Sequence, residues 1–373
     1  MKSPLYFALC ALFASSSYLL VHAAPLSTED SESKKLIATE PLTHIIALAD
    51  DKKGIGARPA GSKQERQAAQ YIFQQLQRMG LKAEQQTFAI EVNETQATSM
   101  NISAVIPGES KKRLVIGAHF DSTGVEQGSL GATDNASGVA VLLAVSEQLV
   151  QMRGLPYSVQ VVFFGSEEIG KLGSNYFVHA MSRAELGNII AMLNLDTVIG
   201  GDVLYVHSSS PTDFSCKKIE NAKLNTSGVF RDALLAYGAS QSSLPVQFEL
   251  HEDSEVFAAG QTGDWSDHQA FACNNIPIAY IEATNMDING RGGKDGYSQS
   301  IEAQFWTCYS GKKIGSCDPD KEKKWGEIWH TQFDRLDRLF PVFNARMIDQ
   351  LVANITLIVG ALNDPETMAK LGK

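Results

Sequence analysis

Short apolar runs that alternate with stretches of helical period constrain this chain more than any other feature. Leu114-Val115-Ile116-Gly117-Ala118 and Val159-Gln160-Val161-Val162-Phe163-Phe164 read as buried strands, and Ile189–Leu195 and Ile278–Ile281 have the same character. Gly138–Met152 follows a helical pattern between the first two. Glu65–Arg78 does the same, with Ala69, Ile72, Phe73 and Leu76 on one stripe and Gly80 as a stop. Strands alternating with helices predict an α/β fold of three layers, α/β/α, around a central, mostly parallel mixed sheet. Such sheets bind ligands beyond the carboxyl ends of their strands.

Polar residues gather at those ends. His119-Phe120-Asp121 follows the first strand, Glu167-Glu168 the second, and Asp196 the third. Asp134 lies in the Gly131–Gly138 turn that opens a helix, and His330 in a loop before the last helix. Each has an ordinary explanation taken singly. Asp134 could cap a helix, a Glu-Glu pair could face solvent, and a lone histidine could be a core or surface residue.

Together they are harder to explain that way. Acidic groups crowded at one sheet edge repel each other by several kcal/mol unless cations neutralise them. Oxygen and imidazole donors without thiolate suit catalytic rather than structural zinc. Two ions sharing one carboxylate would complete such a centre. The HExxH and GxSxG signatures are absent.

These motifs resemble the two-zinc aminopeptidases of the bacterial leucyl aminopeptidase and aminopeptidase Y type. The resemblance rests on Ala118-His119-Phe120-Asp121, Gly131–Gly138, Gly165-Ser166-Glu167-Glu168, Asn194-Leu195-Asp196, Ser266-Asp267-His268 and His330-Thr331, in the family's order. It implies a zinc-exopeptidase fold with two Zn2+ per chain. His119 and Asp196 would hold one ion, Glu168 and His330 the other, and Asp134 both. Glu167 would be the general base and acid for an attacking hydroxide, and Asp121 would orient His119 through its other ring nitrogen. The substrate would be the N-terminus of a peptide or protein. Glutaminyl cyclases share the fold, and loss of any ligand would favour that reaction.

Residues 281–297, Trp329-His330 and the Gly56–Ser62 stretch (GARPAGS) resemble a narrower subgroup, that of the alkaline phosphatase isozyme conversion aminopeptidase, which removes N-terminal arginine. This implies a preference for N-terminal Lys or Arg. Glu282, after the Ile278–Ile281 run, is the first choice for a pocket carboxylate, with Asp264, Asp267, Asp287 and Asp295 near it in sequence. Asp267 and His268 are further candidates for substrate contact. His179, His207 and His251 have no partner pattern.

Residues 1–23 have a positive start, an apolar run from Leu5 to Leu20 and small residues before Ala24, the pattern of a secretory signal. The chain is expected to be secreted or periplasmic, free of the membrane after cleavage, and monomeric. No later segment reads as long and apolar enough to span a bilayer. Residues 24–40 are polar and are expected to form a flexible leader or short propeptide. Residues 41–373 would form a single peptidase domain, for which 44% hydrophobic residues supply ample core. A formal charge of −10 argues against nucleic acid as a partner. Four cysteines follow the signal, and Cys308 with Cys317 is the easy pair, closing a loop within an apparent insertion at 298–324. Cys216 and Cys273 remain.

Overall fold

The computed structural model describes residues 28–212, 214–217, 219, 221–253, 257–286, 298–305 and 326–371. The strands described are β1 (Glu84–Val92), β2 (Thr95–Ile106), β3 (Ser110–His119), β4 (Tyr157–Phe164), β5 (Ile189–Leu195), β6 (Val203–Ser209), β7 (Phe248–Glu249), β8 (Gln261–Thr262) and β9 (Ile278–Thr284). They form one mixed sheet in the order β1-β2-β4-β3-β5-β9-β6-β7, with β8 also paired to β6. Its centre, β4-β3-β5-β9, is parallel throughout. Every residue of β9, and all but the first of β4, is buried. Such unbroken apolar runs are what strands covered on both faces require.

Two apolar clusters supply that cover. Leu114, Ile116 and Ala118 of β3 point into the larger one, with α1 (Thr28–Ala49), α2 (Lys63–Arg78) and α3 (Gly138–Gln151). Val115 of β3, with Val162 and Phe164 of β4, points to the opposite face, against α4 (Leu172–His179) and α7 (His268–Ala272). The remaining helices are α5 (Arg183–Gly187), α6 (Val229–Ser240), α8 (Leu336–Asn363) and α9 (Pro365–Leu371). The three-layer α/β/α arrangement is therefore present, with an antiparallel hairpin, β1–β2, added at one edge.

Two expectations change. The leader expected at 24–40 is helical from Thr28, and Ala38, Ile45, Leu48 and Ala49 of α1 are buried in the core. An amphipathic run beginning at Ile37 explains this, and the polar composition ahead of it concealed the helix. Helix α8 is long and apolar enough to cross a membrane, contrary to the sequence reading, and 67% of its most apolar stretch is buried within the protein. The remaining pair expected from the sequence, Cys216 and Cys273, does form a disulfide, with Cα atoms 5.6 Å apart. Cys308 and Cys317 lie outside the described residues, as do the signal segment, Asp287, Asp295 and most of the 298–324 insertion.

Candidate active site

Parallel strands place their carboxyl ends together, and the chemistry follows from that. His119 is the last residue of β3, the Glu167-Glu168 pair follows β4, and Asp196 follows β5. Asp134 comes from the turn before α3, where Gly131 has a φ of 64°. A Cβ at Gly131 would sit 2.5 Å from the Ser122 side chain and 2.7 Å from the Arg58 guanidinium. Only glycine fits there. His330 arrives from the loop ahead of α8.

Two sets of possible ligands result: His119, Asp134 and Asp196; and Asp134, Glu168 and His330. Within each set the donor atoms all lie within 4.8 Å of one another. Asp134 belongs to both, with Oδ1 3.2 Å from His119 Nε2 and Oδ2 2.9 Å from His330 Nε2. Asp196 Oδ1 is 3.3 Å from His119 Nε2, and Glu168 Oε2 is 3.1 Å from His330 Nε2. Glu168 Oε1 is buried without a partner among the described residues. Three buried carboxylates and two imidazoles in this arrangement suit a pair of divalent cations, with room left for water and substrate.

Glu167 belongs to neither set and lies beside them. Its backbone N–H donates to Asp121 Oδ1 at 2.9 Å, and that of Glu168 donates to Asp121 Oδ2 at 3.1 Å. Asp121 Oδ1 also lies 3.5 Å from His119 Nδ1. Asp121 thus holds the Glu-Glu turn as well as facing the histidine, and sequence reasoning found only the second role. Ser166, at a φ of 55°, turns the chain so that both glutamates can reach the centre. Its hydroxyl donates to buried Glu65 at 3.0 Å, and Glu65 also accepts from Ser99 and from the Gly61 N–H. Burial, with Asp121 nearby, pushes the Glu65 carboxyl up to about 7.

The electrostatics of the site follow from crowding. Burial opposes charge on His119, yet Asp196, Asp121 and Asp134 together hold its pKa well above the usual imidazole value. Burial likewise works against His330, but Asp134 and Glu168 raise it to about 11. Burial and then Asp134 push Glu168 up to about 7. A raised pKa favours the protonated imidazole at neutral pH at both positions. A metal ligand must be deprotonated. Zinc loading at pH 7 is therefore expected to release at least roughly two protons per chain, and apparent affinity should rise with pH. Calorimetric titrations in buffers of different ionisation enthalpy measure this. Release near zero would contradict the assignment of the two histidines.

The other candidates fare differently. Asp267 and His268, expected to meet substrate, are completely buried. His268 Nε2 donates to the Gly263 carbonyl at 2.8 Å and the ring stacks on Tyr280, with burial lowering its pKa to about 4. Burial, opposed by His119, raises the Asp267 pKa to about 7. Both lie at the start of α7, just after Ser266. The Ser266 hydroxyl donates to Asp196 Oδ2 at 2.7 Å. Asp264 accepts from Ser215 N–H and Gln269 instead of lining a pocket base. Glu282 is buried: its Oε1 lies 2.8 Å from His207 Nε2, and its Oε2 accepts from Tyr280 at 2.9 Å. His207, without a partner pattern in the sequence, acquires one through the β6–β9 pairing.

Sequence reasoning also missed Asp334, which is fully buried and accepts from the Thr133 N–H at 2.6 Å, the Thr133 hydroxyl at 2.9 Å and the Asp134 N–H at 3.4 Å. It fixes the turn that presents Asp134. No local signal marks it, because its partners lie about two hundred residues away in sequence.

Comparison with known proteins gives the family and the fold. The alkaline phosphatase isozyme conversion protein of Escherichia coli K12 is 29% identical over 262 residues, covering 65% of this chain and 71% of that protein. Leupeptin-inactivating enzyme 1 of Streptomyces exfoliatus is 27% identical over 338 residues, covering 88% of this chain and 66% of that one. Among solved structures, an aminopeptidase from Aneurinibacillus sp. strain AM-1 superposes with a TM-score of 0.59 at 16% identity, over 90% of this chain and 96% of that one. A glutaminyl cyclase from an Acidobacteriales bacterium gives 0.58 at 15% identity, over 94% and 99%. At these identities the superpositions show a shared fold and do not separate the two reactions. Residues 101–355 match peptidase family M28. With most of its length matched, strand ends and ligand sets included, the chain belongs to peptidase family M28.

Proposed function

We propose that this peptidase is an exported aminopeptidase that uses two zinc ions to hydrolyse the N-terminal residue of peptides. The observation that carries this is Asp134, whose two oxygens divide between His119 and His330. A carboxylate so divided fits a bridge between two ions, and a one-metal cyclase has no need of it. Bound at these positions, zinc would supply a hydroxide at neutral pH and a Lewis acid for the scissile carbonyl. Glu167, free of both ligand sets, takes a proton from the attacking water on its carboxylate and returns it to the leaving amine. Asp121 keeps that carboxylate in place through the backbone of the Glu-Glu turn.

The preferred side chain would be cationic. Leu195 and Ile281 are partners in the β5–β9 ladder, so the next residues, Asp196 just past β5 and Glu282 within β9, are neighbours. Tyr280 and half-exposed Trp265 add aromatic surface there. A buried carboxylate between aromatic rings suits a Lys or Arg side chain. Aminoacyl-chromogenic substrates, assayed with zinc and with a chelator, test both readings. Chelator-sensitive release of Lys and Arg is expected. Glu282→Gln should lower kcat/KM for them by roughly tenfold to a hundredfold and leave Leu unchanged. Preference for Leu or Phe in the wild type would remove the cationic pocket and keep the mechanism. No release by folded, zinc-loaded protein would sink the aminopeptidase reading and favour the cyclase.

A further inference from the structure

The two halves of the centre are supported in different ways. His119 and Asp196 stand at strand ends and are buried, whereas His330 sits in a loop at a φ of 58° with 43% of its side chain exposed. What fixes that loop is Gln299, a fully buried residue that no motif contains. Its Oε1 accepts from the N–H groups of Trp329 at 2.7 Å and Ile328 at 3.1 Å, the two residues ahead of His330. Its own N–H, and that of Ser300, donate to the Gly326 carbonyl. The segment around Gln299 is anchored in turn by Asp202. That carboxylate accepts from the Ser300 hydroxyl and the Ile301 N–H, each at 2.8 Å, and from Arg346 of α8 at 2.7 Å.

We propose that Gln299 is the positioning residue for His330, and that it governs only the metal position shared by Asp134, Glu168 and His330. The inference rests on the two-ion reading above. One amide oxygen holding two consecutive N–H groups fixes both the height and the rotation of the loop at the point where the imidazole leaves it. The hydrogen bonds of Gln299 run to the loop that carries His330 and not to His119 or Asp196, so the two positions can be separated by substitution. Gln299→Asn keeps a polar side chain but is one methylene short of the two N–H groups. Gln299→Glu keeps both length and acceptor.

The test is a calorimetric titration of the chelator-stripped full-length mature chain with Zn2+, with thermal unfolding read in parallel. The wild type should take up two ions. Gln299→Asn should hold the first as the wild type does and the second about 10–100-fold more weakly, the usual effect of losing a residue that orients a ligand. Gln299→Glu should restore the second. Two ions held with wild-type affinities by Gln299→Asn would overturn the inference, as would loss of both together. A wild type that takes up a single ion would sink the two-ion reading, and this inference with it.

Discussion

Glu167→Gln is expected to lower kcat about a thousandfold, with KM and zinc content close to wild type. The size follows from losing general base and acid at one site, a contribution worth about 10²–10⁴-fold, or about 4 kcal/mol at its centre. Metal retention follows from geometry, since Glu167 belongs to neither ligand set. The fold should not suffer either. Burial, opposed by His119 and reinforced by Asp267, Glu168 and Asp196, holds the Glu167 carboxyl well above the usual range. A neutral amide of the same shape therefore relieves crowding there. Steady-state kinetics and metal analysis on one preparation decide the matter. Activity within threefold of wild type would remove Glu167 from the mechanism, and loss of an ion would make it a ligand. Glu168→Gln offers the contrast, because it should lose the ion shared with His330.

The strands that carry the centre were legible because each is a near-continuous apolar run ending in a polar residue. β3, β4, β5 and β9 all answer that description. The β1–β2 hairpin was not legible. Its turn is Asn93-Glu94, both at positive φ, where an Asn-Gly pair would have announced it, and β1 buries only Phe88 and Ile90. The five residues proposed as ligands, and Glu167, could be picked out through strand ends and a resemblance. Gln299, Asp334 and Glu65 could not, since their roles depend on contacts between distant segments that have no period or spacing, and the motif that includes Ser266 did not give its bond to Asp196. Asp267 and His268 show the opposite failure. A motif marked them as belonging to the site, but adjacency in sequence does not reveal which side of a helix start faces the cleft.

Arg58 is the extreme case of a residue whose role only packing reveals, and Arg58→Met is expected to cost about 3–5 kcal/mol of stability. The guanidinium is fully buried. Its Nε donates to the Phe120 carbonyl at 2.7 Å and its Nη2 to that of Gly131 at 2.9 Å. Nη1 lies within 3.0 Å of the carbonyls of Leu48, Gly56 and Leu130. One side chain thus joins α1, the loop after β3 and the turn before Asp134. Its charge is held without a direct carboxylate partner: burial lowers its pKa to about 10, while Asp334, Asp121, Asp134 and Glu168 oppose that. Methionine would leave those carbonyls buried and unsatisfied, at about 1–3 kcal/mol for each one that water cannot reach. Lysine should recover little, because an ammonium cannot span acceptors arranged around a planar fork. Denaturant unfolding of the metal-free protein measures the loss without a contribution from bound zinc. A change below about 1 kcal/mol would mean that water enters and replaces the guanidinium. A large loss, with zinc affinity at both positions weakened in the folded fraction, would mean that this single cation sets the distance between the His119 loop and the Asp134 turn.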